Sequence, residues 1–229
     1  GAIVFILAIL ARPLGAMMAR MTLWLPRGFD AETELEVKRS RFITRLARVD
    51  DEEAARAVIA AVRAAYPDAR HHCLAFIVDV PDAQPVERSS DDGEPAGTAG
   101  MPMLEVLRGS GVSNVVAVVT RYFGGVLLGT GGLVRAYSDA AAQALDGTPL
   151  VRPVVRQLVG LEVGASEAGR VQGALMNRGV DVVDAEWGAS VLLTLAVDDP
   201  EAALPLVREV AQADVELVPL GEQVVELPT

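Results

Sequence analysis

The run from Ser89 to Ser138, SSDDGEPAGTAGMPMLEVLRGSGVSNVVAVVTRYFGGVLLGTGGLVRAYS, decides how this chain is read. At its centre, residues 115–120 (VVAVVT) are apolar without alternation, so both faces of this strand must be covered and it belongs in the middle of a sheet. Before it lies an acidic, Gly/Pro-rich loop. After it comes a second loop, dense in glycine.

The first loop packs Asp91, Asp92 and Glu94 around Gly93, with Ser90 before them and Pro95 after. Three carboxylates this close form an exposed turn, organise the neighbouring loop through hydrogen bonds, or hold a hard cation or act as a general base. Gly97, Thr98, Ala99 and Gly100 let the backbone pass close to something and lead into a helix predicted near Pro102. A helix start preceded by such small residues leaves N–H groups free to receive an anion.

The central strand ends in Arg121-Tyr122-Phe123 and a loop holding Gly124, Gly125, Gly129, Gly131 and Gly132. A helix is predicted from about Leu133 to Leu145, with Arg135 and Asp139 spaced for an i, i+4 pair. Strand, glycine loop and helix together suit phosphate, although the same glycines also permit tight backbone crossings. Thr130 stands where a P-loop needs lysine, and the third glycine of a dinucleotide fingerprint is misplaced, so neither ATP hydrolysis nor NAD binding is supported.

Working outward, residues 34–49 read as one strand, bent if continuous, with Phe42 and Leu46 on one face and Arg39, Arg41 and Arg45 as a basic stripe on the other. The stripe is either a solvated face or a phosphate contact. Asp50 and Glu53 have capping-box spacing for a helix that Pro67 ends after Tyr66. Residues 73–80 form a buried strand, opened by His71, His72 and Cys73. Neighbours on a strand face opposite ways, so these three do not converge on a metal, and no metal or cofactor is expected.

Beyond a linker at 149–153, residues 158–163, a helix capped by Ser166 and stopped by Gly179, strands at 180–187 and 191–197 about Gly188, a helix opened by Asp199-Pro200 and a strand at 215–220 give the order βαββαβ, a ferredoxin-like pattern. Residues 1–150 carry 15 basic against 18 acidic side chains, and residues 151–229 carry 5 against 13. Nucleic-acid contact is therefore confined to a local surface of the first half.

The ten apolar residues 2–11 span about 15 Å as a helix, too short to cross a bilayer. Residues 1–20 are read as an upstream extension preceding a start at Met21, with a buried or partner-binding helix and a targeting segment as the other readings. The lone Cys73 fits a reducing compartment, and a cytoplasmic location is expected.

SDDGEPAGTAGMPML and VVTRYFGGVLLGTGGLVRAYS, preceded by PDARHHCLAF, resemble the IMPACT family in its bacterial YigZ branch, from about Leu35 through Leu145 and more faintly to the C-terminus. The resemblance implies an α+β fold in two domains. The first, residues 21–148, is an α/β sandwich similar to a domain of elongation factor G and to ribosomal-protein folds; the second, residues 154–229, is ferredoxin-like. Residues 1–20 fall outside it. Eukaryotic members of the family are translational regulators, and bacterial members are suspected of binding nucleic acid or ribosomes.

The family's motif surface maps onto Ser90, Asp91, Asp92, Gly93, Glu94, Pro95, Gly97, Thr98, Gly100 and Pro102, and onto Arg121, Tyr122, Gly124, Gly125, Gly129, Gly131, Gly132, Arg135 and Tyr137. On these residues the leading expectation is a translation-associated binding protein that contacts RNA, the ribosome or a ribosomal factor. Arg121 and Arg135 would supply positive charge, Tyr122 a stacking face, and the glycines a close-approach backbone. In the alternative, Asp91, Asp92 and Glu94 pair with those arginines and hold the loops in register. A rival reading is an enzyme acting on a small phosphorylated or acyl substrate, with Asp92 or Glu94 as general base and Arg121 as anion clamp. A protein partner in translation control is a third.

Overall fold

The computed structural model describes residues 22–81 and 83–229, so the expected extension at 1–20 lies outside the described residues. In chain order the elements are β1 (Leu23–Trp24), β2 (Asp30–Val37), β3 (Ser40–Arg48), α1 (Glu52–Ala65), β4 (His71–Val78), β5 (Val86–Ser90), α2 (Gly100–Ser110), β6 (Val112–Ser113), β7 (Val115–Tyr122), α3 (Gly129–Leu145), β8 (Val151–Gly164), α4 (Ala168–Asn177), β9 (Asp181–Trp187), β10 (Ser190–Val197), α5 (Pro200–Ala211) and β11 (Val218–Pro228). They form two compact units in an α+β fold. One runs to Pro153 and takes Glu226–Thr229, and the other comprises Val154–Val225.

The first unit is built on an antiparallel sheet in the order β2-β3-β7-β4-β5. β7 is its middle strand, and its residues from Val115 to Arg121 are buried, as an unbroken apolar run requires. On one face α1 covers Ala47, Leu74, Phe76, Val116 and Val118. On the other, α2 and α3 cover Phe42, Leu46, Cys73, Ala75, Ala117 and Val119. Alternation along each strand feeds two cores, giving a sheet sandwiched between helices.

Several boundaries differ from the sequence expectation. Residues 34–49 are two strands: the chain reverses at Lys38-Arg39, both in the left-handed region at φ 47° and 67°, and Leu35 pairs with Phe42. The cap of α1 is Asp51, whose Oδ1 accepts from the Ala54 N–H at 2.7 Å, one residue later than expected. α3 begins at Gly129, so Gly129, Gly131 and Gly132 lie in its first turn and the preceding loop is only residues 123–128. The stretch 149–153 enters a strand, and Val151 pairs with Trp24.

In the second unit, β10 pairs antiparallel with β8 and β9, and β11 pairs with the other edge of β8. The strand order is β11-β8-β10-β9, with α4 between β8 and β9 and α5 between β10 and β11, the chain order βαββαβ. Its core joins Val159, Leu161, Leu193 and Leu195 to Val171, Leu175 and Val207 of the two helices. Asp199 caps α5 by accepting from Glu201 and Ala202 N–H groups, and Pro200 takes the first helical position.

Candidate functional site: a loop-lined depression at one end of the sheet

Register brings the two motif stretches together. Tyr122 lies opposite Arg41, Arg121 opposite His71, and Ser90 opposite Leu74. The start of β3, the end of β7, the start of β4 and the end of β5 therefore share one end of the sheet. The loops at 91–99 and 123–128 leave from that end.

The acidic loop is held by its own carboxylates. Asp91 accepts from the N–H groups of Gly97 (2.7 Å), Ala99 (3.0 Å) and Gly100 (2.8 Å). Its carboxylate thus occupies the N-terminus of α2 and takes the N–H groups that the sequence leaves free to receive an anion. Burial acts to raise its pKa, but the three backbone donors together outweigh that and leave it below the ordinary value. Asp92, with φ 43°, accepts from the His72 N–H at 2.7 Å and from Arg63 at 2.9 Å, while its carbonyl accepts from His71 Nδ1 at 2.9 Å. A carbonyl only accepts, so His71 Nδ1 is the donor of that bond. Thr98 caps the loop inward, its hydroxyl donating to the Pro95 carbonyl at 2.7 Å, and Ser90 Oγ accepts from the Asp92 N–H at 3.2 Å.

Beneath the loop is a buried polar cluster. Arg121 is 8% exposed and Glu94 9%. Arg121 Nη1 donates to Glu94 Oε1 at 2.7 Å, and the Tyr137 hydroxyl donates to the same oxygen at 2.8 Å. Cys73 Sγ lies 3.3 Å from that hydroxyl and 3.0 Å from the Asp91 carbonyl. Burial, followed by its Cys73 and Glu94 neighbours, pushes the Tyr137 hydroxyl above its usual range and keeps it a donor. Burial likewise pushes the Cys73 thiol up to about 12. His72 is lowered by burial, which outweighs the pull of Asp92, and its Nδ1 lies 3.0 Å from Thr120 Oγ1.

Arg121 is therefore the partner of Glu94, as in the alternative where the carboxylates hold the loops in register. One of its donors remains unmatched: Nε is buried and has no hydrogen-bond partner among the described residues. A buried donor left unsatisfied costs about 1–3 kcal/mol. The guanidinium also packs 5.6 Å from the Phe42 ring centroid and 5.8 Å from that of Phe123.

Arg121 forms part of the wall of a depression of about 480 Å³, with Arg70, His71, Tyr122, Phe123 and Leu127 around it. Phe123 is 58% exposed and Leu127 84%. The Tyr122 hydroxyl donates to Asp68 at 2.8 Å and the Arg41 guanidinium covers its ring at 5.7 Å, so its faces are partly taken. Arg70 and Arg135 are exposed, and neither forms an ion pair among the described residues; the expected Arg135–Asp139 pair is not formed.

The glycines divide by role. A Cβ on Gly124 would come within 2.0 Å of the Arg39 carbonyl carbon, and one on Gly100 within 2.6 Å of the Ser90 nitrogen, so at both the backbones touch. Gly93, Gly125 and Gly129 have positive φ. Gly131 has neither constraint: a Cβ there meets nothing within 4 Å. Gly132 sits against the Leu128 side chain.

Most of the loop residues are legible in the sequence, where Cys73 reads only as a strand-end side chain and Arg63, Asp68 and Leu127 carry no expected role. Their partners lie 18 to 64 residues away for Cys73, 29 for Arg63 and 54 for Asp68, beyond what local spacing reveals. Leu127 carries a signal in hindsight, as an apolar pair with Leu128 bracketed by glycines.

Fold and site together define a two-unit α+β protein whose helix-and-sheet sandwich presents, at one end of its five-stranded sheet, a self-locked acidic loop and an arginine-walled depression. The Impact N-terminal domain family matches residues 38–145. The IMPACT family member YigZ of Escherichia coli K12 is 44% identical over 193 residues, covering 80% of this chain and 90% of that protein. The member YvyE of Bacillus subtilis 168 is 33% identical over 170 residues, covering 74% and 77%. A crystal structure of a hypothetical protein, 40% identical, superimposes with a TM-score of 0.56 over 86% of this chain and 97% of the other. The chain belongs to the IMPACT family.

Proposed function

We propose that this chain is a translation-associated regulatory binding protein whose first unit contacts RNA, the ribosome or a ribosomal factor through the loop end of its five-stranded sheet. One observation carries the reading: both motif stretches meet at one end of the sheet, where Arg121, Tyr122, Phe123 and Leu127 of the second line a depression, and the acidic groups of the first are spent in holding its loop there. A general base needs a lone pair within reach of the substrate proton. Asp91 and Asp92 each use both carboxylate oxygens on donors of the protein, and Glu94 Oε1 already takes two. What remains outward is a surface of contact groups: the cations Arg70 and Arg135 and the apolar Phe123 and Leu127. The link to translation comes from family membership.

The test is sedimentation of the full chain with ribosomes over a salt series, wild type beside Arg70→Glu and Arg135→Glu. Binding that weakens steeply with salt, and less steeply in the variants, is the expected result. No binding at low salt, or binding indifferent to both salt and substitution, overturns the proposal.

A further inference from the structure

We propose that the depression walled by Arg121 and Phe123 is a pocket for one unpaired RNA base. The inference rests on the proposed function, which it narrows to a ligand. Its size suits such an occupant, since pockets for small organic groups run roughly 300–1,000 Å³ and this one is about 480 Å³. Its chemistry is more telling. Phe123 stands beside the pocket with more than half its surface exposed, next to the nearly bare Leu127, and offers a flat apolar face. Bases stack on such faces whatever their identity, because every base has a π surface.

The wall behind that face is polar, with a guanidinium that is charge-paired to Glu94. Arg121 is nine-tenths buried, gives one Nη1 hydrogen bond to Glu94, and keeps an unpartnered Nε. His71 donates through Nδ1 to the Asp92 carbonyl, which leaves Nε2 as the ring's free nitrogen. The pocket thus combines an apolar platform with a buried cation and a free imidazole nitrogen. An inserted aliphatic side chain would use only the platform. A base edge carries both acceptors and donors, so it uses the platform and the polar wall together. Arg70, exposed at the rim, is placed for the phosphate that accompanies the base. Bases in a duplex are stacked inside the helix and cannot enter, so the pocket selects single strands.

The experiment is fluorescence anisotropy of a short labelled single-stranded RNA and of the blunt duplex made from it, using the full chain, Phe123→Ala, Phe123→Tyr and Arg70→Glu. Ribosome sedimentation is run on the same proteins. Phe123 is outside the hydrophobic cores, so its substitution leaves the fold in place for the comparison. The single strand is expected to bind more tightly than the duplex. Phe123→Ala should weaken it roughly 5- to 150-fold, as for loss of one stacked base, with an unchanged salt slope. Phe123→Tyr should retain it, and Arg70→Glu should flatten the slope.

Equal affinity for the duplex overturns the base pocket, as does indifference to Phe123→Ala. Ribosome binding that survives without any single-strand binding overturns the pocket and leaves the proposed function standing, with a protein surface as the contact. Absence of both kinds of binding overturns both.

Discussion

Arg121 and Glu94 form an ion pair at 2.7 Å in which both side chains are more than nine-tenths buried, joining the central strand to the acidic loop across 27 residues of sequence. The Tyr137 hydroxyl on the same carboxylate oxygen ties α3 into the pair. One oxygen thus gathers a strand, a loop and a helix.

Removing Arg121 should therefore act on stability before it acts on binding. Arg121→Met leaves the Glu94 carboxylate buried without its cation, a loss of about 3–5 kcal/mol. Adding Glu94→Gln removes the orphaned charge while leaving an acceptor for Tyr137, and should recover at least half of that. Urea unfolding of wild type, the single variant and the double variant checks this. Additive losses would mean that the pair is not coupled.

Two motif glycines should respond in opposite directions. Gly124→Ala drives a Cβ into the Arg39 backbone and should cost about 1–3 kcal/mol or more, because neither strand-end segment can yield without the other. Gly131→Ala meets open space at an ordinary φ in a helical turn, and should stabilise by up to about 1 kcal/mol. Thermal unfolding of the two variants distinguishes them.

How much of this was legible follows from how local each signal is. The unbroken run 115–120 located the central strand, and the Pro67, Gly179 and Asp199-Pro200 signals placed helix ends, because those effects act within a few residues. The β2–β3 turn was hidden because Lys38 and Arg39 take left-handed conformations that usually call for glycine or asparagine. The start of α3 was hidden because glycine is a poor helix former, so Gly129, Gly131 and Gly132 read as loop. The role of Arg121 needed a partner from another loop. Charge counting could supply the candidates but not the pairing.

Asp91 gives the loop an acid sensitivity with a defined sign. Its folded pKa lies below the ordinary 3.8, so the stability it contributes is complete above the unfolded value and is lost as pH falls through the folded one. Wild type should lose unfolding free energy from about pH 5 downward. Asp91→Asn should start lower and show a flatter dependence over that window. Urea midpoints measured against pH report both, and equal slopes would show that the three backbone donors do not favour the charged form.

Cys73 should be inert while the protein is folded. Its thiol is pushed up to about 12, chiefly by burial, so almost none is thiolate at neutral pH, and the thiolate is the reactive form. A thiol reagent should label the native chain only at the rate of unfolding, and label it at once in denaturant. Rapid native labelling would show that the loop over Cys73 opens on its own, separating local from global stability.

The basic stripe on β3 should contribute no phosphate contact. Arg41 donates to both oxygens of Glu34 at 2.7 and 2.8 Å, and Arg45 to both oxygens of Asp30, so each guanidinium's charge is matched across the hairpin. The pairing raises the pKa of both arginines, with the carboxylate hydrogen bond as the leading cause. Replacing Arg41 alone would strand a carboxylate and alter the local field, so the informative variants are the charge-conserving pairs Arg41→Gln/Glu34→Gln and Arg45→Gln/Asp30→Gln. Each should leave ribosome affinity and its salt slope as in wild type. A slope reduced by about one per pair would make the stripe a phosphate contact and extend the binding surface from the loop end along β3.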